Sequence, residues 1–224
     1  MTERPVERPV KQRLIEAAFA LFEQHGYDRT TVDDIAERAG VSRATFFRTF
    51  RSKEDVIFPD HDDMLHMVEA RLLGSTHQTA LVAVTEAVRL VLLHYLGEGD
   101  LARARYRLTH KVPVLRDREL VSTHQYERIL QKFLREWLGP SPDSALTAEL
   151  MAGAAVTAHN YVLRRWLRGQ TRHPEAEYDA ALARTLNVFV QHEDGARTDS
   201  VVVLRTGRDL DTVLPQLRAL LGER

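Results

Sequence analysis

The side chains best suited to chemistry in this 224-residue chain lie between residues 41 and 53. Arg43 offers a forked donor that fits guanine edges, Ala44 a methyl surface that fits thymine, and Thr45 a hydroxyl that can bond a phosphate. The segment holds four basic side chains and no acid, whereas residues 54–70 hold six acids and no lysine or arginine. We therefore expect a surface that contacts the DNA major groove, with the acidic stretch directed away from it.

Two short helices joined by a sharp turn are predicted between Thr30 and Lys53. Thr31, with an acid three residues later, has the spacing of a capping box at the start of the first helix. Gly40 can end this helix, because glycine tolerates a left-handed backbone. Ser42 can cap the second helix, which would bury Phe46 and leave the opposite face, with its arginines, for a partner.

A further helix is predicted on each side of this pair. Apolar residues over 11–25 recur at the i, i+3, i+4 spacing of an amphipathic helix, which Gly26 closes. Ser52, with an acid three residues later, predicts a helix that has Lys53 in its first turn, where free backbone N–H groups favour a phosphate. The order is a supporting helix, a helix-turn-helix and a connecting helix.

Over roughly the first 55 residues this pattern resembles the tetracycline-repressor (TetR) family of bacterial regulators. The matching residues are Ala17-Ala18, Leu21-Phe22, Gly26-Tyr27, Thr30-Thr31-Val32, Ile35-Ala36, Ala39-Gly40-Val41-Ser42, Thr45-Phe46-Phe47, Phe50 and Ser52-Lys53-Glu54. The sequence departs from the family at two positions, since Phe47 stands where tyrosine is common and Thr49 where histidine is common. The missing tyrosine hydroxyl removes one phosphate contact.

The resemblance implies a DNA-binding role for specific side chains. Arg43 and Ala44 would face bases, Thr45, Phe47 and Lys53 would lie along the phosphates, and Thr31 would approach the backbone from the first helix of the motif. The full predicted set is Thr31, Ser42, Arg43, Ala44, Thr45, Phe47, Arg48 and Lys53. The alternative is a three-helix bundle with solvated arginines, but an exposed aromatic beside two arginines favours DNA.

The rest of the chain is predicted to be helical, which makes the protein all-α. Pro59 should break or kink the connecting helix. We expect a helix-turn-helix domain over residues 1–55, a helical effector-binding and dimerisation domain over 56–192, and a C-terminal extension over 193–224. The extension contains a short apolar run and a further amphipathic helix that includes Pro215. We expect it to pack on its own or its partner's ninth helix, and a coactivator-docking helix is the alternative.

A ligand cavity among the middle helices is implied by the resemblance. Its expected occupant is a small, mainly apolar effector that changes the spacing of two DNA readers. The candidate wall residues each join an apolar body to one hydrogen-bonding group: Tyr95, Tyr106, His110, Tyr126, Trp137 and His159. Ordinary core packing is the alternative for each of them.

A homodimer is expected for two reasons. A single helix-turn-helix has a small footprint, so a near-palindromic operator with half-sites about 34 Å apart requires a two-fold pair of readers. Family members pair through their last two long helices, and the eighth predicted helix carries a run of small residues, Ala152 to Ala155, that permits close approach. The same run could instead pack within the subunit.

Composition limits the class of protein further. The chain has no cysteine, which excludes disulfides and thiolate sites, and its net charge of −1 excludes a generally polybasic protein. The N-terminus lacks a signal-peptide core and the apolar stretches are interrupted by polar groups, so we expect a cytoplasmic protein without a membrane span.

No cofactor and no catalytic residue are predicted, because the common catalytic motifs are absent. Asp62 and His66 have the i, i+4 spacing of metal ligands beside His61, but a third ligand is missing and a solvated acidic cap is the alternative. Two other functions remain open at this point: an all-helical enzyme, and a helical interaction module without a ligand.

Overall fold

A computed structural model of the chain describes residues 8–58 and 61–190, apart from the side chains of residues 187 and 190. These residues form nine α-helices and one short 3-10 turn, and no β-strand occurs among them. The helices are α1 (Val10–His25), α2 (Val32–Arg38), α3 (Arg43–Thr49), α4 (His61–Leu73), α5 (Ala80–Glu98), α6 (Asp100–Lys111), α7 (Pro113–Leu138), α8 (Pro142–Leu167) and α9 (Pro174–Val190). The all-α prediction is confirmed.

The N-terminal helices α1 to α3 pack around one apolar core. Leu14, Ile35 and Phe46, one from each helix, are fully buried in it. Leu115 of α7 belongs to the same core and is also fully buried. The described residues as far as Leu186 accordingly form one compact unit.

The segment after α3 differs from the prediction of a helix that starts at Ser52. Residues 51–58 form turns, and the next described helix begins at His61. The backbone N–H of Asp55 does donate to Ser52 Oγ at 3.3 Å, but the turn then buries Val56 and Ile57 completely in the N-terminal core. The following proline also disfavours helical backbone at Phe58. The predicted helix start at this position is therefore wrong.

The C-terminal helices surround a second core, in which α8 supplies ten buried residues. Helix α7 begins at Pro113, because proline suits the first helical position. The predicted extension over 193–224 lies outside the described residues, as does the predicted break at Pro59.

One stretch, His77–Glu98, is long and apolar enough to cross a membrane by length and composition. Its mean hydropathy is 1.5, and 39% of the apolar window is buried in the protein. Helix α5, which makes up most of it, packs against α4 and α8 through residues such as Ala83, Ala87 and Leu92. A core helix meets the same criterion, so this stretch is weak evidence for a membrane span.

Candidate DNA-binding surface and ligand cavity

The start of α2 is fixed by a reciprocal capping box. The Thr31 backbone N–H donates to Asp34 Oδ2 at 2.8 Å, and the Asp34 N–H donates to Thr31 Oγ1 at 3.2 Å. The backbone bond from Thr31, followed by the bond from its hydroxyl, lowers the pKa of the Asp34 carboxyl. Both terminal N–H groups are thereby satisfied, as the spacing predicted.

The turn between α2 and α3 uses Gly40, whose φ is +67°. This left-handed conformation lets the N–H of Val41 donate to Ala36 O at 3.0 Å and reverse the chain within three residues. Ser42 then caps α3, with its Oγ accepting from the Thr45 N–H at 3.1 Å. The turn sets the relative direction of the two helices of the motif.

The exposed face of α3 carries the predicted DNA contacts. Phe46 is fully buried, whereas the neighbouring Phe47 is 45% exposed. Arg43, Ala44 and Arg48 are exposed on the same short helix. Thr31 and Ser42 are also exposed, and Thr45 and Lys53 are half-buried at its margin. All eight predicted residues therefore lie on or beside one accessible surface, which we call the recognition face.

Arg43 is held by an acid that the sequence interpretation overlooked. Its Nη1 donates to Asp33 Oδ1 at 2.6 Å, and its guanidinium carbon lies 5.2 Å from the centroid of the Phe47 ring. Asp33 stands in the first turn of α2, ten positions before Arg43. An acid beside the capping residue of the first motif helix was the available signal. The Asp33 carboxylate thus lies beside the basic groups of the recognition face.

Lys53 is held by hydrogen bonds to the segment that connects α1 and α2. Its Nζ donates to Tyr27 O at 2.8 Å and to Thr30 O at 3.0 Å, and lies 3.9 Å from the Tyr27 ring centroid. The Tyr27 hydroxyl donates to Glu54. Burial raises the pKa of the Glu54 carboxyl, but this bond and others outweigh it and lower that pKa overall. Lys53 is therefore fixed in place rather than free in solvent.

A cavity of about 90 Å³ lies among α4, α5, α6, α7 and α8. Tyr95, Tyr126 and His159, three of the six predicted wall residues, line it. Its apolar wall includes Met64 and Leu130. Burial raises the pKa values of the Tyr95 and Tyr126 hydroxyls, which stay protonated at neutral pH. The wall thus combines apolar surface with uncharged hydrogen-bonding groups.

The other three predicted wall residues lie outside this lining. The Tyr106 hydroxyl accepts a hydrogen bond from Arg168 Nε at 2.7 Å, and its ring centroid lies 4.4 Å from that of the exposed His110. Trp137 Nε1 donates to His77 O at 2.9 Å. Each of these side chains therefore has a local partner, and the amphipathic character that made them candidates is used in packing.

Arg105 is a cavity residue that sequence reasoning missed. It is 5% exposed, and its Nη1 and Nη2 donate to Glu98 at 2.6 and 2.5 Å. Its Nε donates at 2.5 Å to Ile57 O, in the segment that follows α3. The available signal was the spacing of Ala102, Arg105 and Thr109, which places the arginine on the buried face of α6. The cavity wall is thereby tied to the N-terminal core.

His159 and Glu119 are two further polar residues of the wall. Burial, with a smaller effect of Arg164, lowers the pKa of His159 to about 4, so its imidazole is neutral at physiological pH. Burial raises the pKa of Glu119, against the opposing hydrogen bond of Thr109 and nearby positive charges. His159 Nδ1 is buried with no hydrogen-bond partner in the described part of the chain.

The possible metal ligands of α4 point to different surroundings. His61 Nε2 contacts Gln125 Oε1 and the His61 ring lies edge-on to Tyr126, whereas Asp62 and His66 are exposed. Within the described ranges no group of three or more histidines, aspartates and glutamates is placed to hold a metal ion. His61 instead forms part of the cavity wall.

An apolar stripe on α8 remains exposed. Leu146, Leu150 and Tyr161 are 61%, 54% and 56% exposed and fall on one face of the helix. Of the small residues on this helix, Ala152 and Ala155 are fully buried within the subunit, while Gly153 and Ala154 are half-buried. The small-residue run is thus divided between the core and the surface.

Comparison with known proteins identifies the family. Residues 14–58 match the model of bacterial regulatory proteins of the tetR family, and residues 78–193 match the MftR C-terminal domain. The chain is 30% identical over 175 residues to the transcriptional regulator TcmR of Streptomyces glaucescens, covering 73% of this chain and 76% of TcmR. It is 26% identical over 163 residues to MftR of Mycobacterium tuberculosis, covering 70% and 79%.

Solved structures show the same fold. The complex of SmeT with triclosan aligns over 89% of this chain and 100% of SmeT, with a TM-score of 0.60 and 17% identity. NalD of Pseudomonas aeruginosa aligns over 80% of this chain and 94% of NalD, with a TM-score of 0.56 and 15% identity. The chain belongs to the TetR family and is a DNA-binding transcriptional regulator, which rules out the helical-enzyme alternative.

Proposed function

We propose that the protein is a cytoplasmic, homodimeric repressor that leaves a near-palindromic operator when a small, mainly apolar effector enters the cavity. The observation that carries the proposal is the double role of Arg105. Its guanidinium lines the cavity and also donates a hydrogen bond to the Ile57 carbonyl, in the segment that follows α3. A ligand that displaces this side chain also disturbs the support of the recognition face. That is coupling between two sites through a shared group.

The recognition face supports the operator half of the proposal. Arg43 and Ala44 would contact base edges, and Thr31, Ser42, Thr45, Phe47, Arg48 and Lys53 would position the helix along the phosphates. An ammonium has three N–H donors, and Lys53 gives two to carbonyl oxygens, so a phosphate can accept the third. The anchored ammonium would lose little side-chain entropy on binding DNA.

Two structurally similar proteins support the proposed repressor role. SmeT is described as the repressor of the Stenotrophomonas maltophilia multidrug efflux pump SmeDEF, and NalD as the secondary repressor of the MexAB-OprM pump. SmeT has also been solved with triclosan, a small, mainly apolar compound. The cavity described here has a wall suited to that kind of molecule.

The exposed stripe on α8 supports the dimer. Leu146, Leu150 and Tyr161 present apolar surface that a second copy would cover, and two copies related by a two-fold axis would match two half-sites. Size-exclusion chromatography with light scattering measures the mass directly. A monomer at micromolar concentration would contradict this part of the proposal.

The test of the function is fluorescence anisotropy with the DNA upstream of the protein's own gene, at physiological salt and with scrambled competitor. We expect a complex that resists the competitor and contains a near-palindrome, because base contacts add to the phosphate contacts. Binding that is weak, salt-sensitive and equal for every sequence would contradict operator recognition. Thermal stability unmoved by a compound library would favour a regulator without an effector.

A further inference from the structure

The charged groups of the cavity are already compensated by the protein. Of the described residues that line the cavity, two are arginine, lysine, aspartate or glutamate, and these are Arg105 and Glu119. Both Nη atoms of Arg105 are bonded to Glu98, whose side chain is 12% exposed. An anionic ligand would have to compete with Glu98 for the guanidinium.

A cationic ligand fares no better. Glu119 lies in the field of Arg105, His110 and Arg164, and burial raises its pKa, which favours the neutral acid. A cation would therefore meet the positive charges of Arg105 and Arg164 and a carboxyl whose charged form is disfavoured by burial. Since burying a charge without a partner is costly, an uncharged ligand is the one that this wall accommodates at least cost.

His159 carries a buried polar atom in the wall that lacks a hydrogen-bond partner among the described residues. The side chain is 5% exposed, and Nδ1 is buried without a hydrogen-bond partner in the described part of the chain. A neutral imidazole has one nitrogen that donates and one that accepts, so an unpaired nitrogen is unfavourable in either tautomer. Because His159 lines the cavity, a bound ligand can supply the missing partner.

We propose that the cavity takes an uncharged, mainly apolar ligand with one hydrogen-bonding group, and that this group pairs with a ring nitrogen of His159. The inference rests on the proposed function, because it names the chemical class of the effector. Tyr95 and Tyr126 contribute aromatic wall on the helices that face α8. The protonated hydroxyls leave the wall without a further negative charge.

Four single-ring probes test the proposal on the full chain at neutral pH. Phenol is uncharged and can hydrogen-bond, toluene is uncharged and cannot, benzoate is an anion and benzylamine is a cation. Dissociation constants are measured by ligand-observed NMR. We expect phenol to bind about tenfold more tightly than each of the other three. Tighter binding of benzoate or benzylamine than of phenol would overturn the inference.

Variants assign the preference to His159. H159F keeps a ring of similar size without nitrogen, so the advantage of phenol over toluene should disappear. H159Q keeps a hydrogen-bonding group and should retain part of that advantage. H124F removes an exposed histidine of α7 that is not part of this wall and should behave as the native protein. A phenol preference that survives in H159F would refute the assignment.

Operator anisotropy in the presence of each probe separates this inference from the proposed function. Phenol binding that depends on His159 but never releases the operator would uphold the ligand class and contradict release by this site. Operator release by other compounds, with phenol and toluene bound equally, would uphold the repressor and overturn the ligand class. If H159F fails to fold, H159Q and the four-probe ranking on the native chain still decide the matter.

Discussion

Arg43 and Lys53 are proposed to make two different kinds of DNA contact from the recognition face. Arg43→Ala should weaken operator binding by about 1–3 kcal/mol and relax the preference at one base pair, because a base-edge contact is lost. Lys53→Ala should weaken binding to all sequences alike, because phosphates carry no sequence information. Anisotropy against a set of singly substituted operators measures both effects. Equal losses on every sequence for both variants would show that Arg43 does not contact a base.

Asp33 should modulate the DNA contact proposed for Arg43. The carboxylate lies 2.6 Å from the guanidinium and restricts its orientation, yet it also places a negative charge beside the proposed DNA-binding surface. Asp33→Asn should therefore tighten non-specific binding several-fold while it lowers discrimination at the Arg43 base pair. Specific and scrambled DNA are titrated in parallel. The pair is exposed, so the free energy of unfolding should change by less than about 0.5 kcal/mol.

His159 should make stability depend on pH. In the unfolded chain it binds a proton below its ordinary pKa of 6.5, whereas in the folded protein it does so only near 4. The unfolded state therefore holds more protons between these values, and the free energy of unfolding falls as the pH drops from 6.5 to 4, by roughly 3 kcal/mol in all. Urea denaturation across this range measures it. The pH dependence of H159F should be shallower by that amount, and an unchanged slope would contradict the buried neutral state.

At the level of elements, two glycines should respond oppositely to alanine. Gly40 has a φ of +67°, which an L side chain adopts at a cost of about 1–2 kcal/mol, so Gly40→Ala should lower the free energy of unfolding by that much. Gly97 lies within α5 with nothing near the added Cβ, and Gly97→Ala should raise it by about 0.5 kcal/mol. Thermal denaturation compares the two. A stabilising Gly40→Ala would contradict the turn geometry.

Helices α2 and α3 could be predicted because the sequence signals that define them are local. Capping residues, the turn glycine and the buried Phe46 each depend on neighbours within four positions, which the sequence displays directly. The supposed helix after Ser52 failed for the opposite reason. Whether a capping serine starts a helix there depends on the burial of Val56 and Ile57 against distant helices.

Long-range contacts explain why the cavity was predicted only in part. Tyr95, Tyr126 and His159 lie on its wall, but nothing within their own helices distinguishes them from Tyr106 or Trp137. The link from Arg105 to Ile57 spans 48 positions, and no spacing rule reports it. The sequence was enough to find side chains that can form hydrogen bonds. Their partners could be identified only from the folded structure.

At the level of the whole molecule, the exposed stripe on α8 should decide the oligomeric state. Leu150→Glu would place a charge in an interface from both copies and should shift the protein to monomers, with loss of operator affinity. Leu73→Glu, at an 82% exposed position on α4, is the matched control and should leave the mass unchanged. Light scattering gives the mass. A Leu150→Glu dimer as stable as the native one would place the interface elsewhere.

Leu115 of α7 is buried in the same apolar cluster as residues of α1, α2 and α3, and this has a consequence for how the protein opens. Because Leu115 of α7 shares the core of α1 to α3, these three helices cannot separate from α7 without exposing apolar surface on both sides. Backbone amides of α1 and of α7 should then both exchange with solvent deuterium at the rate of global unfolding. A peptide limited to residues 8–58 would lack one wall of its core and should be largely unstructured.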